Sequence, residues 1–257
     1  MKARNLLSQV VPPTLFLVLC LLAWEGLVRL LGIPSYLVPS PSAILGEAFE
    51  ERAQLLPAAA VTLAGALGGF LASLTAGVLA AMLFAQARWI RSSLYPWAIF
   101  LQTVPIVAIA PLIVLWFGAG FRSIVLVSFL LSVFPILSNT VDGLTRIDPQ
   151  LLELFRLHHA SRLQTLLKLR LPHSVPFVVA GAKVAAGLTV IGAIVGEFFA
   201  GYGASRPGLG YLILQSAGQL KTELLFASVG LSTLLGLLVF LLTSLASRQI
   251  LSRLDSE

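Results

Sequence analysis

Cysteine, histidine and recognisable catalytic motifs are scarce in this sequence. Its single cysteine, Cys20, lies in an apolar run, which excludes an intrachain disulfide and a cysteine-ligated metal site. The three histidines are His158, His159 and His173, and no carboxylate stands at metal-ligand spacing from the adjacent pair. We therefore interpret them as loop or docking residues. The sequence contains neither a Gly-x-Ser-x-Gly nucleophile motif nor a Gly-x-x-x-x-Gly-Lys-Ser/Thr phosphate loop, so we expect no catalytic chemistry in this chain.

Charged residues are also few. They make up 11% of the chain, against about 25% in soluble domains, whereas 58% of the residues are hydrophobic. Several apolar runs exceed the ~18 residues that indicate a membrane-spanning helix. The net charge of +6 does not indicate nucleic-acid binding, because the arginines do not cluster beside aromatic stacking residues. The composition predicts an all-α polytopic membrane protein.

Six apolar stretches predict six transmembrane helices. They run from about Pro13 to Leu31, Pro57 to Ala85, Pro96 to Phe117, Ile124 to Val141, Phe177 to Ala200 and Leu224 to Leu245. The first stretch is longer than a signal-peptide core and lacks a small-residue cleavage site, so we expect a retained span.

Two spacings within these spans predict contacts. Glu25 and Arg29 stand four residues apart, in the order that favours an ion pair on a helix. Small residues recur at every fourth position of the second span, the pattern that lets membrane helices approach closely. These small residues are Gly65, Gly69, Ser73, Gly77, Ala81 and Ala85.

Four residues inside the predicted spans are candidates for the translocation path. Pro105 and Pro111 lie within the third span, and the backbone groups that they free need neighbouring helices or water. Lys183 and Glu197 are the ionisable residues of the fifth span, where such residues are candidates for function. They lie ~21 Å apart along one helix and cannot pair within one chain. For Glu197, a hydrated interfacial position remains an equal alternative.

A polar segment, Leu144–Pro172, separates the fourth and fifth spans. Asp148 before Pro149 predicts the N-cap and first position of a helix. Ser161 predicts the cap of a second helix. Leu151, Leu152 and Phe155 fall on one face of the first helix, as Leu163, Leu166 and Leu167 do on the second.

This polar segment resembles the EAA loop of importer permeases of the ATP-binding-cassette (ABC) class. That loop reads Glu-Ala-Ala, three residues, Gly, nine residues, a hydrophobic residue, any residue, Leu and Pro. Here Glu153 occupies the Glu position, His159 the Gly position, Leu169 the hydrophobic position, and Leu171-Pro172 the end. Ala160-Ser161-Arg162 also resembles the segment that follows the glycine. Other residues replace the two alanines.

The resemblance implies that the loop is a coupling helix that docks into a groove of an ATPase subunit. We interpret the glycine of the family motif as a residue in the left-handed backbone conformation that connects the two helices, called here the left-handed joint. Histidine is one of the non-glycine residues that are enriched in this conformation. The implied docking residues are Asp148, Leu151, Leu152, Glu153, Phe155, Arg156, His159, Ala160, Ser161 and Arg162.

Two further stretches resemble the nitrate, sulfonate and taurine branch of these permeases. One is Pro105–Gly120, with Pro111-Leu and Leu-Trp116-Phe117-Gly within it. The other combines Glu197 with the later Gly-Leu-Gly-Tyr turn that begins at Gly208. Because other relatives of this branch handle pyrimidine or riboflavin-type vitamin precursors, the substrate remains open between these classes.

The resemblance also implies the assembly. We expect one type I ABC importer permease domain over residues 1–257, with a cytoplasmic coupling loop at about 145–173. The implied partners are a second copy of the permease, two ATPase subunits, an external or periplasmic binding protein and the lipid bilayer. No cofactor is expected on this chain, and ATP-Mg is expected on the ATPase.

The distribution of basic residues predicts the orientation. With a cytoplasmic N-terminus, 12 of the 17 lysines and arginines fall inside and 5 outside, as the positive-inside rule requires. We therefore expect both termini in the cytoplasm. The resemblance implies that the membrane is the bacterial cytoplasmic (inner) membrane. A stand-alone secondary transporter or channel is the alternative, disfavoured by the few ionisable groups in the spans. An intramembrane enzyme is disfavoured because no nucleophile–base pair is found.

Overall fold

The computed structural model describes residues 2–86, 88–201 and 206–254. Within these ranges the chain forms α-helices and one π-helical turn, without a β-strand. In chain order they are α1 (Lys2–Leu30), α2 (Pro41–Glu50), α3 (Arg52–Gln86), α4 (Arg88–Thr103), α5 (Ile106–Phe117), α6 (Phe121–Thr145), α7 (Pro149–Leu157), α8 (Arg162–Thr165), the π-helical turn (Leu166–Arg170), α9 (Leu171–Ala200), α10 (Leu209–Gly218) and α11 (Thr222–Leu254). The predicted all-α class is confirmed.

Five helical segments of the described chain are long and apolar enough to cross a membrane. They are Val11–Leu30, Arg52–Gln86, Phe121–Thr145, Arg162–Ala200 and Thr222–Arg253. The second begins at Arg52, so Pro57 lies inside α3 and does not start the span as predicted.

The predicted third span is not one helix. It is divided between α4 and α5, which are separated at Val104 and Pro105. Pro105 has no backbone N–H and disfavours a helical conformation at the preceding residue, which explains the break. The count of six membrane crossings therefore stays a prediction.

The turn between α5 and α6 depends on two glycines. Gly118 has a φ of +84° and Gly120 a φ of +134°. Residues with a side chain rarely adopt these values. The turn accounts for both glycines that follow Trp116-Phe117 in the sequence.

The chain forms two compact units, of which the first contains residues 1–56 and 212–231. In this unit Glu25 joins α1 to the start of α2. Its carboxylate accepts hydrogen bonds from Arg29 Nε (2.6 Å), Ser42 Oγ (2.8 Å) and Ser42 N (3.0 Å). The predicted ion pair of Glu25 and Arg29 is confirmed.

The second unit contains residues 57–211 and 232–257, and within it α6 contacts α4, α5, α9 and the π-helical turn. Within this unit α6 packs extensively against α9. Glycines of α9 permit this approach, since a Cβ at Gly192 would lie 2.6 Å from Ser128 Cα and one at Gly181 2.8 Å from the Pro135 carbonyl oxygen. Ser128 Oγ also donates a hydrogen bond to the Thr189 carbonyl (2.8 Å).

The small-residue stripe of α3 packs against α6 within the same unit. A Cβ at Gly69 would overlap the side chain of Ser128, and Ser73 Oγ lies 2.6 Å from Ser132 Oγ. Ala81 is fully buried in a cluster that includes Val141 of α6. The prediction that this stripe is a packing surface is confirmed.

Candidate functional site

The first helix of the polar segment, α7, begins as the sequence predicts. Asp148 Oδ1 accepts a hydrogen bond from Gln150 N (2.8 Å), and Pro149 occupies the first turn. Leu152 and Phe155 are half-buried, whereas Leu151 and Glu153 are exposed. The described surface of α7 also exposes two further leucines, Leu154 and Leu157. An exposed apolar patch of this kind is typical of a protein–protein contact.

The joint after α7 is left-handed at the predicted residue. His159 has a φ of +50°. The Ala160 N–H donates to the Phe155 carbonyl and the His159 N–H to the Arg156 carbonyl, both at 2.9 Å. These two bonds form a Schellman motif, which satisfies carbonyls at the end of α7.

The second helix of the polar segment begins with a reciprocal cap. Ser161 Oγ accepts from Gln164 N (3.2 Å), and Gln164 Oε1 accepts from Ser161 N (2.7 Å). The predicted Ser161 cap is confirmed, and Gln164 extends it to a capping box.

A π-helical turn follows at Leu166–Arg170, which the sequence did not indicate. The Leu171 N–H bonds to the Leu166 carbonyl, five residues back. Pro172 has no N–H to offer, and its ring conflicts with the carbonyl four residues earlier in a regular helix. A wider turn just before the proline accommodates that conflict, and such turns recur at functional sites.

The loop is fixed to the membrane helices at two points. Leu166 is buried with Leu137, Val141 and Leu144 of α6. Arg170 Nη1 donates to the Ala85 carbonyl near the end of α3 (3.0 Å). The loop is therefore attached to both α3 and α6.

Glu197 lies in a second polar cluster, near the end of α9. Its side chain is fully buried, which contradicts the alternative of a hydrated interfacial carboxylate. Oε2 accepts hydrogen bonds from the Gly210 N–H (2.7 Å) and from Thr62 Oγ1 (3.0 Å). Thr62 Oγ1 in turn accepts from the Leu209 N–H (2.9 Å). The carboxylate and the hydroxyl thus satisfy the first amide groups of α10, where a helix favours a negative group.

Two glycines leave room for this carboxylate. A Cβ at Gly208 would overlap the carboxylate of Glu197, and one at Gly210 would lie 2.8 Å from Glu197 Cβ. Among the described residues, Oε1 of Glu197 has no hydrogen-bond partner. The sequence paired Glu197 with the Gly-Leu-Gly-Tyr turn by resemblance, and the packing gives the physical reason. Thr62 was missed, because nothing in the sequence links it to a residue 135 positions later.

The remaining predicted path residues lie apart from this cluster. Pro105 precedes α5 and Pro111 lies within it, both exposed, and Lys183 is half-buried on α9. Lys183 and Glu197 belong to one continuous helix, which keeps them ~21 Å apart. In the described part of the chain, no hydrogen bond or ion pair joins any two of these four residues.

The long apolar helices and the capped polar segment agree with what comparisons with known proteins show. The family model described as "Binding-protein-dependent transport system inner membrane component" matches residues 73–255. This chain belongs to that family. The permease is 36% identical to the riboflavin transport system permease protein RibX of Chloroflexus aurantiacus, over 90% of this chain and 86% of the relative.

Other relatives agree with this assignment. The permease is 37% identical to the formylaminopyrimidine transport permease protein ThiX of Halalkalibacterium halodurans, over 90% of this chain and 91% of the relative. Permeases named for aliphatic sulfonates and for nitrate are further relatives, so the predicted branch is confirmed. The permease is therefore the membrane-spanning permease subunit of an ABC importer.

A solved structure supports the fold. The permease superimposes on a chain of the inward-facing MetNI methionine ABC transporter with a TM-score of 0.67. The match covers 78% of this chain and 98% of that chain at 17% sequence identity. The predicted ABC importer permease fold is confirmed at the level of the fold.

Proposed function

We propose that this permease carries a nitrogen heterocycle of the pyrimidine or riboflavin type, delivered by an external binding protein. The support is the identity of 36–37% to the riboflavin and formylaminopyrimidine permeases over 90% of the chain. A small anion such as nitrate, a sulfonate or taurine is the second candidate. It is supported by the Pro105–Gly120 run and by the sulfonate and nitrate relatives.

Transport by the reconstituted importer tests the substrate class. Proteoliposomes that contain the permease, its ATPase and its binding protein should take up riboflavin or a formylaminopyrimidine when ATP is supplied. Uptake of taurine or nitrate with no uptake of either heterocycle would contradict the proposal. Calorimetry on the permease–ATPase complex alone should show weak binding, because the spans offer few convergent polar groups and a selective site needs several.

The proposed assembly contains two copies of this permease and two ATPase subunits that bind ATP-Mg. Both termini of the permease lie in the cytoplasm. The ATPase docks on α7, through Glu153 and the apolar residues beside it. The exposed leucines of α7 support this, because they are apolar groups without cover on the described surface. The attachment of the loop to α3 and α6 provides a mechanical route from ATPase movement to the spans.

The docking proposal is tested at Glu153. Glu153→Lys reverses a charge on an exposed face, so the permease should fold normally but lose co-purification of the ATPase and ATP-driven uptake. Glu50→Lys is the matched control, since Glu50 is an exposed glutamate at the end of α2. It should retain the ATPase. Full co-purification and uptake by Glu153→Lys would contradict docking through this face.

The proposed translocation path includes Pro105, Pro111 and Lys183. Its support is the break between α4 and α5, since an interrupted helix at membrane depth is tolerated only against protein or water. Glu197 belongs to the path only if its carboxylate does more than hold the start of α10. The substitutions described in the Discussion separate these two roles.

A further inference from the structure

A cavity of about 560 Å³ lies between the end of α3 and the coupling loop. Three arginines from three different segments line it: Arg156 of α7, Arg162 of α8 and Arg170 of the π-helical turn. Gln86 and Thr165 add neutral polar groups. Its volume falls in the range of about 300–1,000 Å³ that is typical of small-ligand sites.

The charge of this arginine cavity is uncompensated within the described chain. None of its lining residues is a carboxylate. The two ion pairs found among the described residues are Glu25 with Arg29 and Asp142 with Arg146, so neither Arg156 nor Arg162 takes part in one. Like charges around one cavity repel one another unless an anion lies between them.

We propose that the arginine cavity binds the phosphate group of an anionic phospholipid. Guanidinium groups match phosphate oxygens with paired hydrogen bonds, and three of them from separate segments can surround one phosphate. Arg170 is held in place by its bond to the Ala85 carbonyl, so part of the site is formed before a ligand arrives. α3 is a candidate membrane span that ends beside the cavity. The positive-inside rule places the loop on the cytoplasmic side, and anionic headgroups are concentrated in that leaflet.

This site has a consequence for the coupling loop. A phosphate between Arg156 and Arg162 bridges α7 and α8 across the His159 joint, and Arg170 connects the same anion to α3. The bound headgroup therefore stiffens the path from the docking helix to the membrane helices. The proposal concerns the permease alone and does not depend on the identity of the transported solute.

The test uses the full-length purified permease without its ATPase. It is exchanged into vesicles of phosphatidylglycerol and phosphatidylcholine, extracted in mild detergent, and the retained lipid is counted by native mass spectrometry. The wild type should retain phosphatidylglycerol in preference to phosphatidylcholine. Arg156→Gln with Arg162→Gln should weaken that retention about 25-fold, at roughly fivefold for each charge removed.

Controls separate charge from fold. Arg248→Gln removes an exposed arginine of α11 outside the cavity and should retain the lipid as the wild type does. Arg156→Lys with Arg162→Lys keeps both positive charges but lacks the planar guanidinium groups. This variant should therefore retain phosphatidylglycerol better than the double glutamine variant and less well than the wild type. Gel filtration of each variant confirms that the permease remains monodisperse.

A second arm identifies the source of the phosphate. Inorganic pyrophosphate is titrated by calorimetry into the lipid-depleted permease and into the Arg156→Gln/Arg162→Gln variant. Arginine-dependent binding of pyrophosphate without retention of phosphatidylglycerol would keep the phosphate site and assign it to a free anion. Equal phosphatidylglycerol retention by wild type and double variant, with no arginine-dependent pyrophosphate binding, would overturn the inference.

Discussion

Replacement of Glu197 tests whether its carboxylate holds the start of α10. In Glu197→Ala the Gly210 N–H loses its acceptor, which costs about 1–3 kcal/mol for a buried group. The Thr62 hydroxyl loses little, because the Ala58 carbonyl is a second acceptor at 3.1 Å. The shortened side chain also leaves a void that costs about 2 kcal/mol. Removal of the buried carboxylate offsets part of this loss in the free energy of unfolding, because Oε1 of Glu197 has no hydrogen-bond partner among the described residues.

The expected net loss for Glu197→Ala is about 2 kcal/mol in the free energy of unfolding. For a chain of this size that lowers the melting temperature by about 4–8 °C. Glu197→Gln keeps an oxygen that can accept from Gly210 N and Thr62, so its loss should stay under about 1 kcal/mol. Gly208→Ala places a Cβ on the Glu197 carboxylate and should lower the melting temperature. Gly236→Ala is the matched control and should melt like the wild type, because its Cβ meets no atom within 4 Å beyond the backbone of its own helix.

The assay is thermal unfolding of the purified permease in detergent, followed by transport in proteoliposomes. A melting temperature of Glu197→Ala equal to that of the wild type would refute the structural role. A Glu197→Gln variant that melts normally but does not transport would show that the charge itself acts in translocation.

The remaining predictions concern the loop, the helix packing and the orientation. His159→Gly should transport normally because glycine adopts a positive φ freely, whereas His159→Val should lower both stability and ATPase co-purification, and equal behaviour of the two variants would contradict the left-handed joint. Gly69→Ala should reduce the free energy of unfolding by about 1–3 kcal/mol, measured in the same melting assay, since its Cβ overlaps a neighbouring side chain. Reporter fusions after Arg162 should indicate the cytoplasm and those after Arg52 the exterior; an external Arg162 would refute the proposed orientation.

Local chemistry explains why much of the polar segment Leu144–Pro172 could be predicted from the sequence. The N-caps at Asp148 and Ser161 and the joint at His159 depend on residues within a few positions of one another, so spacing is sufficient to predict them. The small-residue stripe of α3 was predictable for a similar reason. A four-residue period fixes one face of a helix, although it does not say which helix packs there.

The errors in the predicted helix boundaries arose at prolines, because a proline has several possible effects on a helix. The sequence predicted that Pro105 lies within a continuous span, but in the structure it separates α4 from α5. Pro57 was expected to begin a span and instead lies inside α3. A proline can start, bend or interrupt a helix. The packing of neighbouring helices determines which of these conformations has the lowest free energy.

The sequence by itself determined the membrane-spanning helical class, the caps of the loop and the left-handed joint, because composition, short-range hydrogen bonding and backbone preference act locally. Only the tertiary structure decided that α6 is the partner of the α3 stripe and that Thr62 and Glu197 meet at the start of α10. It alone also brought Arg156, Arg162 and Arg170 around one cavity at the end of α3. These contacts join distant segments, and their geometry depends on how close the glycines let the helices approach, which no local pattern specifies.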